Sequence, residues 1–174
     1  MEADFTAFDA TLRDGRGVHV RAMRISDDAE ILQAFAGLSA DARYMRFMRV
    51  VREVDQDRLR KTLASFPEHG FGIVATIPAR DGFDIVGSAI LVIEKKPSTC
   101  EFAITILPEY GGFGLGRVLL STLIAIAKRR GFKQMEGFVL AVNQPMLKLA
   151  SRLGFAIARD PDDGSVRNCR LSLE

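Results

Sequence analysis

Between Thr99 and Ala127 the hydrophobic period of the chain changes once, and it does so across a run of glycines. Thr99 to Leu107 alternates as a strand does. Cys100, Phe102, Ile104 and Ile106 fall on one face, and Glu101, Ala103, Thr105 and Leu107 on the other. The next ten residues are Pro108-Glu109-Tyr110-Gly111-Gly112-Phe113-Gly114-Leu115-Gly116-Arg117. Val118 to Ala127 is then apolar save for Ser121 and Thr122, which predicts a helix buried on all sides. A glycine-rich turn at a strand-to-helix junction brings bare N–H groups to the positive end of a helix, a seat for phosphate or pyrophosphate. Glycines also close many turns that hold no ligand, so this pattern alone leaves both readings open.

A chain of 174 residues is long enough for one domain with a sizeable core, and the expected unit is 1–174, with residues 1–9 as a weak, mobile lead-in. A net charge of +2 gives no footing for nucleic acid or a membrane surface. No segment has the pattern of a secretion signal or a membrane span, so a cytoplasmic protein is expected. Cys100 and Cys169 are too few for a disulfide framework or zinc site, and His19 and His69 have no ligand-like spacing; no metal is expected.

Along the chain, Thr11-Leu12-Arg13 reads as a short strand, Asp14-Gly15-Arg16-Gly17 as a hairpin turn, and Val18 to Met23 as the returning strand. A helix starts at Asp27-Asp28 with Ile31, Leu32, Phe35 and Leu38 at helical spacing; a second runs through Arg43 to Phe47, and a third from Asp55 to a stop at Pro67. Phe71–Thr76, Ile85–Ile93 and Thr99–Leu107 read as an antiparallel meander. Phe138 to Val142, apolar at every position, reads as a central strand covered on both faces, followed by a helix from Pro145 to Leu153 and a hairpin of Phe155–Ala158 with Val166–Leu173. Arg43, Arg46, Arg49 and Arg52 recur every third residue; they read as a solvated helix surface, with a wall facing acidic partners as the alternative.

The glycine stretch Tyr110 to Leu120 resembles the acyl-CoA loop of the GNAT N-acetyltransferase superfamily, and Val139-Leu140-Ala141-Val142-Asn143, Met146, Leu147, Ala150 and Leu153-Gly154-Phe155 resemble its next strand and helix. Thr11 to Arg16, Tyr44-Met45-Arg46-Phe47 and Asn143 to Leu147 are most similar to the catalytic domain of bacterial protein-lysine acetyltransferases. The resemblance covers nearly the whole chain. It implies a mixed α/β fold: a twisted, mostly antiparallel central sheet, splayed in the middle, with helices on both faces. It also implies acetyl transfer from acetyl-CoA, as co-substrate, to a primary amine.

On that resemblance the amides of Gly111, Gly112, Phe113, Gly114, Leu115, Gly116 and Arg117 hold the pyrophosphate. The main chain of Ile104 and Ile106 pairs with the pantetheine arm, as does Asn143, which also reads as a helix cap. Glu101 is the implied general base, since an amine of pKa ~10.4 is protonated at neutral pH and cannot attack. Two departures stand out. Gly111 and Phe113 occupy loop positions where the family carries Gln or Arg and a basic residue, and Ala150 stands where many members have an acidic tyrosine. The acceptor is left open between a protein lysine and a small amine, and a non-catalytic acyl-CoA sensor is the third reading.

Overall fold

The computed structural model describes residues 5–38, 41, 55–80, 82–93 and 96–174. β1 (Phe8–Thr11) and β2 (Gly17–Ala22) form the expected hairpin, with Gly15 at φ 92° in its turn. β1 begins three residues earlier than the apolar pattern indicates. Phe8 and Asp9, expected in the lead-in, pair with Val20 and His19, and Phe5 before them packs edge-on against Phe8 and tilted against Phe71.

α1 (Asp28–Ala36) follows a short helical turn, and α2 (Gln56–Ala64) is capped by Asp55, whose carboxylate accepts from the amides of Asp57 and Arg58. The Tyr44–Phe47 run and the arginines at 43, 46, 49 and 52 lie outside the described residues. β3 (Gly70–Ala79), β4 (Gly82–Ile93) and β5 (Thr99–Ile106) make the expected meander. After the glycine turn come α3 (Leu115–Arg129), β6 (Gln134–Leu140), α4 (Gln144–Arg152), β7 (Ala156–Arg159) and β8 (Val166–Ser172).

The strands form one open 8-stranded sheet in the order β1-β2-β3-β4-β5-β6-β8-β7. Every pairing is antiparallel except β5 with β6, and that parallel ladder is short: Thr99–Gln134, Cys100–Met135 and Glu101–Glu136. β5 then runs on to Ile106 and β6 to Leu140 without facing each other, so the sheet splays at its centre as expected. Phe102, the first residue past the ladder, is the wedge. Its ring covers the Cα of Gly137, where any Cβ would collide with it, and stacks edge-on against Phe155 at 5.2 Å.

Register puts Val20, Ile73, Ala75, Ala89, Leu91, Cys100 and Met135 on one face, all 1% exposed or less, beneath Leu119, Leu120, Leu123 and Ile126 of α3. α1 covers β4 from the other face, where Phe35, Leu63 and Val74 are buried. Arg21 and Asp27 are buried together there, joined by two hydrogen bonds of 2.9 and 2.8 Å, with Asp27 also accepting from the Arg24 amide.

Three further expectations change. α3 is not buried on all sides: Ser121 and Ala125 face solvent, and small outward residues made an amphipathic helix look uniformly apolar. β6 starts four residues earlier than expected, because Gln134 and Glu136 break the apolar run yet pair on both sides. Nor is the stretch covered on both faces: Phe138 is 38% exposed and Val142, beyond the strand, 69%. The splay removes the neighbour that would have covered Phe138.

Candidate active site

The splay opens into a cavity of about 1040 Å³ that joins the glycine turn, both parted strands and α4. Of the residues singled out from sequence, Glu101, Ile104, Ile106, Gly111, Gly112, Phe113, Gly114, Gly116, Arg117 and Asn143 all line it. Leu115 does not. Its side chain is 1% exposed and packs against Gly87, so only its main chain belongs to the turn.

Local chemistry explains the shape of the turn. Pro108 opens a short 3₁₀ turn through Tyr110, closed by the Gly111 amide donating to the Pro108 carbonyl. Gly112 and Gly114 then take φ of 82° and 97°, values that only glycine adopts without strain. Gly114 is the N-cap of α3, so the amides of Leu115, Gly116 and Arg117 form its unpaired first turn at the positive end of the helix dipole.

On the facing wall, β5 pairs with β4 through Ile104–Ala89 and Ile106–Gly87, and past Glu101 it has no strand on its β6 side. Its main-chain groups along that edge are available to an extended ligand. Asn143 ends the opposite wall; its Oδ1 accepts the Met146 amide at 3.4 Å, capping α4 while leaving the side-chain NH₂ at the cavity. Glu101 is half-buried on the β5 face opposite the main core. Its register partner Glu136 points to the same face, is 5% exposed, and lies 3.8 Å from both Lys96 Nζ and Arg170 Nε.

Sequence reasoning missed four features of the cavity. Arg13 from the β1–β2 turn, and Lys148 and Arg152 from α4, join Arg117 in its wall, giving it four cations that a net charge of +2 conceals. The i, i+4 spacing of Lys148 and Arg152 was a usable sign that they share one helix face. Phe138 is the fourth, exposed because it borders the opening. Ala150 is fully buried and does not reach the cavity, and Tyr110 carries the Arg16 guanidinium 4.0 Å above its ring; among the described residues no phenol lines the opening.

The acetyltransferase (GNAT) family model matches residues 38–155. The chain belongs to the GNAT acetyltransferase family. An acetyltransferase of Pseudomonas aeruginosa is 33% identical to it over 163 residues, 94% of this chain and 88% of the relative. The GNAT domain of Pat from S. lividans superposes with a TM-score of 0.85 at 20% identity, covering 95% of this chain and 96% of that one. The acetyltransferase yncA of Salmonella typhimurium, solved with acetyl-CoA, gives 0.72 at 23% identity over 90% and 94%. This GNAT protein is thus an acetyltransferase by family, and its mostly antiparallel sheet with helices shares the fold of the S. lividans domain. Among the described residues no cluster of metal-ligating side chains occurs, and no helix is long and apolar enough to cross a membrane.

Proposed function

We propose that this acetyltransferase moves the acetyl group of acetyl-CoA onto the side-chain amine of a protein lysine, with Glu101 as general base. The observation that carries the reading is the position of Glu101: a carboxylate on the wall of the same cavity as the glycine turn, at the point where β5 and β6 part. The amides of Gly111 to Arg117 hold the pyrophosphate, and the exposed edge at Ile104 and Ile106, with the Asn143 amide, holds the pantetheine arm. The thioester then lies along the splay near Glu101.

A lysine ammonium of pKa ~10.4 is deprotonated in only about one copy in a thousand at pH 7.4. Glu101 takes the proton, directly or through one water. The nitrogen lone pair attacks the acetyl carbon, and a β-strand N–H at the opening stabilises the oxyanion. The C–S bond breaks, and the electron pair leaves on the CoA sulfur. A thiolate leaves readily enough near neutral pH that the missing phenol is tolerable. The choice of a lysine over a small amine rests on the resemblance to protein-lysine acetyltransferases.

CoA release measured against lysine peptides, polyamines and amino acids tests the acceptor; turnover confined to small amines refutes the lysine assignment. Glu101→Gln is expected to lower kcat by about 10²–10⁴ at pH 7, with the loss shrinking towards pH 10 as the amine deprotonates unaided. An E101Q rate equal to wild type across that range removes Glu101 as base.

A further inference from the structure

The β1–β2 turn, 93 to 100 residues from the glycine turn in sequence, is bonded to it at three points. Arg13 Nη2 donates to the Gly112 carbonyl at 2.6 Å. The Arg13 amide donates to the Phe113 carbonyl at 3.0 Å. Arg16 Nη2 donates to the Glu109 carbonyl at 2.7 Å. The Arg16 guanidinium also lies 4.0 Å from the Tyr110 ring centroid and 5.2 Å from that of Phe113, and is itself fixed by Asp14. Partial desolvation works against ionisation of Asp14, yet hydrogen bonds from the Arg16 amide and guanidinium outweigh it and hold the carboxyl below its ordinary range.

These bonds have a directional consequence. In a trans peptide the C=O and the following N–H point to opposite sides. Bonding the Gly112 carbonyl to Arg13 turns the Phe113 N–H away from the hairpin, and bonding the Phe113 carbonyl turns the Gly114 N–H away likewise. Gly112, Phe113 and Gly114 line the cavity, which Arg13 also borders from the hairpin, and among the described residues neither amide has a protein acceptor.

We propose that Arg13 and Arg16 are positioning residues for the acyl donor: the β1–β2 turn holds the glycine turn with its Phe113 and Gly114 amides aimed at the pyrophosphate. The inference rests on the acetyl-CoA reading of the cavity. It also accounts for a loop that lacks the family's basic side chains at Gly111 and Phe113. Order that a side chain in the loop would have supplied is supplied from outside, by a hairpin.

Arg16 is the discriminating residue, because it braces the turn from behind and does not line the cavity. Isothermal titration of the full chain with CoA, 3′-dephospho-CoA and pantetheine reads the effect. Arg16→Ala is expected to raise Kd for CoA and 3′-dephospho-CoA by the same factor, about tenfold, the scale of a hydrogen bond to a charged group. Pantetheine, which has no pyrophosphate, binds R16A as it binds wild type. Arg16→Lys leaves the loss in place, since an ammonium cannot stack on Tyr110 and bond Asp14 and Glu109 in one plane. Full restoration by R16K, a loss confined to CoA with its 3′-phosphate, or an equal loss for pantetheine each overturns the inference. Asp14→Asn, which loosens the Arg16 guanidinium from behind the turn and does not line the cavity, carries the same expectation for CoA and pantetheine should R16A fold poorly. Wild-type protein that binds no CoA overturns the acetyl-CoA reading itself; wild-type binding with unchanged R16A affinity overturns this inference alone.

Discussion

Replacing Gly137 with alanine tests whether Phe102 parts the central strands. A Cβ at position 137 would lie 2.8 Å from Phe102 Cδ1 and closer still to two further ring carbons. The ring is not a flexible tip that can swing aside, being 5% exposed and stacked on Phe155. Without a clash, Gly→Ala in a strand stabilises by about 0.4–1 kcal/mol through the unfolded chain. Overpacking of this kind costs about 1–3 kcal/mol, so the clash decides the sign. For a domain of this length that is a fall in Tm of about 2–12 °C. Phe102→Ala costs about 3–5 kcal/mol on its own by leaving a cavity. In that background G137A should cost nothing, giving a coupling of about 1–3 kcal/mol in a double-mutant cycle read by urea unfolding. A G137A penalty that is equal in both backgrounds, or absent in both, refutes the wedge.

Further outcomes follow from other parts of the fold. Burial pushes the Cys100 thiol up to about 12 and Cys169 to about 11, from an ordinary 9.0. Both should resist a thiol reagent in the native protein at pH 8 and react once it is unfolded in urea. Because the folded state keeps these protons when the unfolded chain has lost them, stability falls as pH rises above about 9. The slope approaches 1.4 kcal/mol per pH unit for each thiol, up to about 11 for Cys169, and Cys169→Ala removes its share. Asp27→Ala strands the buried Arg21 and should cost about 3–5 kcal/mol by denaturant unfolding. Asp55→Ala removes the α2 cap and should cost about 1 kcal/mol in the same measurement.

Legibility in the sequence divided along physical lines. The glycine turn could be read because φ near 90° at Gly112 and Gly114 is a local demand that only one residue type meets freely. The face carrying Glu101 could be read because strand alternation has a period of two and Thr99–Ile106 keeps it. Arg13 and Arg16 could not, since their bonds to the glycine turn span 99 and 93 residues. The true start of β6 was hidden by Glu136, a carboxylate buried between two cations that no apolar pattern reports. Phe138 looked like core for the opposite reason. It is apolar beside an opening, and which strand borders an opening depends on where the ladder stops.

The three-residue ladder between β5 and β6 leaves the molecule as two half-sheets, β1 to β5 and β6 to β8, joined at one end like the arms of tweezers. Among the described residues nothing in the sheet itself bridges the open ends. A pantetheine arm bonded to both arms would act as the missing rung, making the occupied protein mechanically stiffer than the empty one. At 100 times its dissociation constant, such a bridging ligand adds about 2.7 kcal/mol to the stability of the whole. On the proposed reading of the cleft, acyl-donor supply would therefore set how rigid this protein is, and amide exchange along Phe102–Ile106 and Gly137–Leu140 should report that supply before any acceptor arrives.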